Sequence, residues 1–195
     1  MVDALMYLGR YPEARRVATR GRRLLERAGD RAALARLLNN EGNLLHRLDL
    51  PERALHCYRA AVHALDRAGD HRDARMIGVN VGNCLSLLGR LDEARRHYEA
   101  ARLAQLDAGA PNEALSAEYN LAYLDFLEHR DEAALEALAR IRQTAEARGY
   151  PSLAALAWLD RAEVLLRLGA HEEAASEADA AVRACDALGM VYETA

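Results

Sequence analysis

Aromatic residues make up only 5 % of this 195-residue chain, and proline occurs 4 times. β-Branched residues are scarce as well, and without them and aromatics there is little to build strands from. The bulk is alanine, leucine, arginine and glutamate, all strong helix formers, within an apolar share of 51 %. The composition predicts an all-α protein.

A basic excess is also missing. There are 26 Lys+Arg against 30 Asp+Glu, a formal net charge of -4. Nucleic-acid binders concentrate positive charge on one face, so no nucleic-acid partner is expected. Arginines and acids alternate along the chain, the pattern of solvated helix faces. No apolar run reaches the roughly 18 residues of a membrane span, so no membrane partner is expected. Cys57, Cys84 and Cys185 are odd in number and far apart. They fit reduced thiols of a cytoplasmic protein better than a disulfide framework. Met1 opens directly into the repeat described below, so no signal peptide is expected unless the chain is a fragment.

Catalytic signatures are absent too: there is no GxGxxG, P-loop, HExxH or GxSxG. His56 and His63 lie seven apart on one helix but lack a third ligand at a zinc-like spacing, which makes them a surface pair. Cys84 and His97 fall on the two helices of one unit. No strained turn or oxyanion hole accompanies them, so Cys84 is expected to be a small core residue. No cofactor, metal or catalytic role is expected.

What is present is a repeat. Glycines stand at Gly29, Gly69, Gly109, Gly149 and Gly189, and alanines at Ala14, Ala54, Ala94, Ala134 and Ala174, a period of 40 residues without insertion. Small residues recur at Gly42, Gly82, Ala122 and Ala162. Asparagine recurs at Asn40, Asn80 and Asn120, followed by Asp160. Glycine or a polar residue marks the internal turn at Gly9, Asp49, Gly89, His129 and Gly169. Each unit predicts two helices, A near 31–48 and B near 51–68. Asp30 and Asp70 are suited to cap helix A, Pro51, Pro111 and Pro151 to start helices, and Gly69 to end one. Gly42 and Ala54 are expected to form the close contact within a hairpin, with Leu45 and Tyr58 beside it. One hairpin cannot bury its apolar face alone, so the units must stack.

The boundaries follow from the period: a truncated repeat at 1–30, repeats at 31–70, 71–110, 111–150 and 151–190, and the start of another at 191–195, together one solenoid domain over 1–195. Both ends fall within a unit, which predicts a segment of a longer array.

The segment LLNNEGNLLHRLDLPERALHCYRAAVHALDRAGD resembles a tetratricopeptide repeat. Trp158, Ala162 and Ala174 follow that family's bulky–small–alanine spacing, as do Leu38, Gly42 and Ala54. Tyr58 and Tyr98 match its aromatic position on helix B, and Ala61 and Ala101 its next small one. The resemblance covers the whole chain, with departures: the period is 40 rather than about 34, Leu138 and Ala178 replace the aromatic, and Gly78 and Glu118 stand where Trp158 does. It implies an all-α, TPR-like right-handed superhelical α-solenoid of antiparallel helix pairs, with helix A lining a concave groove. The segment YNLAYLDFLEHRDEAALEAL also resembles the repeat region that precedes bacterial CHAT-type caspase-like protease domains. That resemblance implies a catalytic domain of the same parent chain as a partner.

The period sets Asn40, Asn80, Asn120 and Asp160 at one height on successive A helices. Asparagine offers both donor and acceptor, so such a ladder can hold the backbone of an extended peptide. The resemblance supports that mode. Equally, these side chains can bridge neighbouring A helices. Asn43 and Asn83 continue the groove face one turn on, and Arg36 lies one turn before. Tyr119, Tyr123 and Phe126 make the later part of that face aromatic, unless they pack between repeats. A peptide or protein partner bound on these residues is the leading expectation. A regulatory segment of a larger CHAT-type protease and a structural or oligomerisation scaffold are the alternatives.

Overall fold

The structure is a computed structural model and describes residues 1–188. It is all-helical, with eleven helices and no strand among the described residues. The fold is the expected TPR-like α-solenoid of antiparallel helix pairs. Gly189 and the start of a further repeat at 191–195 lie outside the described residues.

Residues divide into two compact units, Met1–Gly109 and Ala110–Ala195. The first holds α1 (Val2–Tyr7), α2 (Tyr11–Ala28), α3 (Arg31–Arg47), α4 (Pro51–Asp66), α5 (His71–Met76), α6 (Gly78–Leu87) and α7 (Leu91–Asp107). The second holds α8 (Pro111–Leu127), α9 (Asp131–Arg148), α10 (Pro151–Arg167) and α11 (His171–Ala187). Thus α1, α3, α5–α6, α8 and α10 are A helices, and α2, α4, α7, α9 and α11 are B helices.

Local chemistry sets the helix ends. Asp30 accepts a hydrogen bond from the backbone N–H of Ala33 at 2.9 Å, and Asp70 one from Asp73 at 3.2 Å. These bonds satisfy donors that the first helical turn leaves free. Proline opens α4, α8 and α10, where its missing N–H removes no helical bond. The internal turn requires a left-handed residue in every unit: φ is 68° at Gly9, 53° at Asp49, 70° at Gly89, 59° at His129 and 77° at Gly169. Asp49 and His129 therefore adopt a backbone that costs a side-chain-bearing residue more than glycine.

One A helix departs from expectation. The segment expected as a single helix from 71 is divided at Ile77 into α5 and α6. Gly78 follows the break, where other units carry Leu38, Glu118 or Trp158. Glycine is the weakest ordinary helix former, so the ladder lapses there.

The cores are built largely from alanine. In the first unit Val2, Met6, Ala14, Ala18 and Leu44 form one cluster, and Ala35, Leu38, Ala61, Leu65 and Ala74 another. In the second unit Leu115, Leu138, Ile141 and Val164 gather with Ala122, Ala134, Ala145, Ala154 and Ala157. Small side chains let helix axes approach closely, and the larger aliphatic residues among them add buried apolar surface.

Tyr58, expected beside the Gly42–Ala54 contact, is the side chain that closes most tightly on Gly42. A Cβ built on Gly42 would lie 2.5 Å from the Tyr58 ring, and one on Gly82 would lie 2.5 Å from the Tyr98 ring. Glycine leaves the notch that the tyrosine fills. Where the B-helix residue is Leu138 or Ala178, the A-helix residue is Ala122 or Ala162.

Candidate functional site on the A helices

In the first unit the tyrosines that enter the glycine notches also hold the A-helix asparagines. Tyr58 Oη donates to Asn43 Oδ1 at 2.7 Å, and Tyr98 Oη donates to Asn83 Oδ1 at 2.8 Å. The carbonyl oxygens of Asn43 and Asn83 are thus engaged inside their own hairpins. Burial holds both tyrosine hydroxyls protonated, above their ordinary range.

The ladder residues reach backwards along the array. Asn40 Nδ2 on α3 donates to Asp3 Oδ2 on α1 at 2.7 Å. Asn80 Nδ2 on α6 donates to Asn39 Oδ1 on α3 at 3.0 Å. Each amide therefore bridges neighbouring A helices, the alternative the sequence left open. Each bridge uses the amide nitrogen, and the Oδ1 atoms of Asn40 and Asn80 make no hydrogen bond among the described residues. Both side chains are half-buried, and Arg36 on α3 is exposed.

The second unit repeats this geometry with different chemistry. Asp160 on α10 is 7 % exposed and accepts a hydrogen bond from Tyr119 on α8. Tyr119 occupies the column of Asn39, so Asp160 and Tyr119 stand where Asn80 and Asn39 do. Asp160 Oδ2 is buried and has no hydrogen-bond partner among the described residues. Burial pushes the Asp160 carboxyl up to about 6, Glu163 adds to the rise, and the Tyr119 bond opposes it. Asn120 is half-buried on α8.

Tyr123 and Phe126 sit with ring centroids 5.9 Å apart. The Arg167 guanidinium lies 3.9 Å from the Phe126 ring centroid, donates to the Phe126 carbonyl at 2.7 Å and pairs with Asp131. Tyr119 and Phe126 also pack against the second unit's core. These aromatics are thus part of the packing as well as part of the A-helix face.

Burial decides the cysteine question. Cys84 is 0 % exposed, the small core residue expected, and burial pushes its thiol up to about 11, which favours the protonated form. All three cysteines are buried and free. No group of three metal-ligating side chains occurs among the described residues, and no helix there is long and apolar enough to cross a membrane.

Sequence reading missed the distribution of charge. Residues 1–109 contain 19 arginines and 14 Asp or Glu; residues 110–195 contain 7 and 16. Every basic side chain other than histidine is arginine, because the chain has no lysine. In the first unit Arg15, Arg16, Arg20, Arg23 and Arg27 are exposed along α2. Counting charge per unit, rather than over the whole chain, would have found this.

No protein-family model matches the chain, and no characterised protein matches it by sequence. Solved structures do. BtubC (BKLC) from P. vanneervenii is 17 % identical with a TM-score of 0.78, over 100 % of this chain and 80 % of that one. The Rap conjugation gene regulator of plasmid pLS20, solved with the Phr peptide, is 18 % identical with a TM-score of 0.78, over 96 % of this chain and 52 % of that one. The Pyrococcus horikoshii signal-transduction ATPase with a tetratricopeptide repeat sensor is 18 % identical with a TM-score of 0.76, over 90 % of this chain and 28 % of that one. This chain thus spans about half of the Rap protein and less of the ATPase. At these identities the likeness is one of fold, that of tetratricopeptide-like repeats.

Proposed function

We propose that this chain is a protein-interaction module that takes an extended peptide or a protein segment along its A-helix face. The observation that carries the proposal is the state of Asn40 and Asn80. Each amide is fixed by a bond from its nitrogen to the preceding A helix, and each has an oxygen with no hydrogen bond among the described residues. Fixed acceptors about one repeat apart suit the backbone N–H groups of a ligand, because little ordering remains to be done on binding. Asn120 and Asp160 extend the same column in sequence, and Asn43, Asn83 and Arg36 flank it. The proposal takes the units as members of one repeat array, supported by the uninterrupted period. The Rap structure, solved in complex with a peptide, supports a peptide as the kind of ligand.

The test compares wild type with the Asn40→Ala, Asn80→Ala, Asn120→Ala variant in affinity capture, after circular dichroism shows both folded. Partners retained by wild type and lost by the variant are expected. The same partners on both would overturn the role of the ladder.

A second reading has its own observation. The Pyrococcus structure carries its repeat as a sensor within a much longer chain. A regulatory segment attached to an effector domain is therefore the alternative, and the CHAT-type protease named above rests on sequence resemblance. A cytoplasmic setting goes with this proposal, supported by three free cysteines.

A further inference from the structure

We infer that Tyr119, Tyr123, Asp160 and Glu163 form a seat for a cationic side chain, arginine or lysine, of the bound peptide. This inference rests on the peptide-binding reading and adds the chemistry of the ligand. Asp160 holds a carboxylate at the seam of two A helices, 7 % exposed, with Oδ2 unpartnered. A buried acceptor without a partner is costly in a folded protein and marks a place where a donor or a counter-charge is wanted. Glu163 lies one turn along the same face of α10 and is exposed. Tyr119 bonds to Asp160, and the Tyr123 hydroxyl is raised first by burial and then by the charges of Asp160 and Glu163. Two carboxylates beside two tyrosines is a chemistry that favours a guanidinium or ammonium group through charge. Glu163 meets the cation at the rim, and Asp160 attracts it from beneath.

The nearby arginines Arg161 and Arg167 are engaged elsewhere. Arg161, next to Asp160, turns to Glu177 at 2.9 Å and to the Leu135 carbonyl at 2.7 Å. Arg167 is held by Phe126 and Asp131. The excess of 16 acids over 7 arginines in residues 110–195 draws cations to this unit rather than anions. The corresponding positions of the first unit are Asn39, Asn43, Asn80 and Asn83, which carry no charge.

The experiment uses the full chain and a pool of N-acetylated, C-amidated decapeptides, with one central position varied among arginine, lysine, glutamine, norleucine and glutamate. Binding is read by fluorescence anisotropy for wild type, Asp160→Asn and Glu163→Gln. The expected result is preference for arginine or lysine over glutamine by about tenfold, falling to near parity in each variant, while circular dichroism is unchanged. Peptides that bind wild type without that preference, or with a preference for glutamate, would overturn the cationic seat and leave the peptide groove standing. A preference that survives both substitutions would place the cation elsewhere and overturn the seat. Binding of no member of the pool would overturn the groove reading and the seat together.

Discussion

The two units build the same hairpin from different fillers. In residues 1–109 a tyrosine enters a glycine notch and clasps an asparagine on the opposite helix. In residues 110–195 alanine faces leucine or alanine in those columns, and the polar bonds move to arginine. There Arg161 joins Glu177 and the Leu135 carbonyl, Arg142 lies 4.2 Å from the Trp158 ring centroid, and Arg167 covers Phe126. The same backbone period is thus compatible with neutral, directional clasps or with ion pairs and cation–ring contacts. The difference shows that the solenoid requires complementary volumes across each hairpin and a polar bond between neighbouring A helices. The identity of either is left to the unit.

The largest effect expected from breaking this comparison lies in the second unit. Arg161 and Glu177 are 18 % and 14 % exposed in their side chains. Arg161→Ala would strand Glu177, whose Oε2 is already buried without a partner. A loss of about 3 kcal/mol in denaturant-induced unfolding is expected. The analogous Arg22→Ala, in a pair 33 % and 21 % exposed, should cost less.

In the first unit, Gly42→Ala should destabilise by about 2 kcal/mol, because its Cβ meets a ring that Asn43 holds in place. Adding Tyr58→Leu should recover most of that loss, since it converts the pair to the Ala122–Leu138 type. Failure of the double variant to recover in urea unfolding would show that the glycine answers to something other than the tyrosine.

Asp160→Asn sharpens the comparison by giving the second unit the first unit's ladder residue. The folded carboxyl sits near 6, above its ordinary value of 3.8. Burial thus favours the protonated form, and wild-type stability should fall as pH rises from 4 through 6 and then level off. The Asn variant should lack that decline and be more stable than wild type at pH 7.5 by about 1–3 kcal/mol. Unfolding free energies at pH 4.5 and 7.5 distinguish the two.

The smallest effect belongs to the turns. His129→Gly should stabilise by about 0.5 kcal/mol, because φ is 59° there and glycine occupies the same column in three other units. A matched gain for Asp49→Gly would tie the effect to the turn rather than to the histidine ring.

Much of the fold was legible because it is periodic. Glycine and alanine columns, caps and prolines each carry a local physical requirement, and they agree on one register. The break at Ile77 was also written in the sequence, as Gly78 within a helix, but a period read across columns hides a single weak helix former. The polar site was harder to read. The positions of Asn40 and Asn80 follow from the period, yet whether an amide turns to a ligand or to Asp3 or Asn39 depends on rotamers and helix spacing. Tyr58 and Asn43 are fifteen residues apart, on two helices. Their contact depends on how closely the hairpin packs, which Gly42 controls. The exposure of Asp160 likewise depends on neighbouring side chains that no column specifies.

Four of the bonds between hairpins close over a nearly constant length of chain: 37 residues from Asn40 to Asp3, 41 from Asn80 to Asn39, 36 from Arg148 to Asn112 and 41 from Arg167 to Phe126. Each such clasp is about one repeat long and none of these four ties distant parts of the chain together. Pulled from its ends, the chain should yield hairpin by hairpin, in a sawtooth whose steps each release about 140 Å of extended backbone. A molecule of this kind is a graded spring, with a polar latch at each step, and ligand seated across two latches would stiffen it at that point.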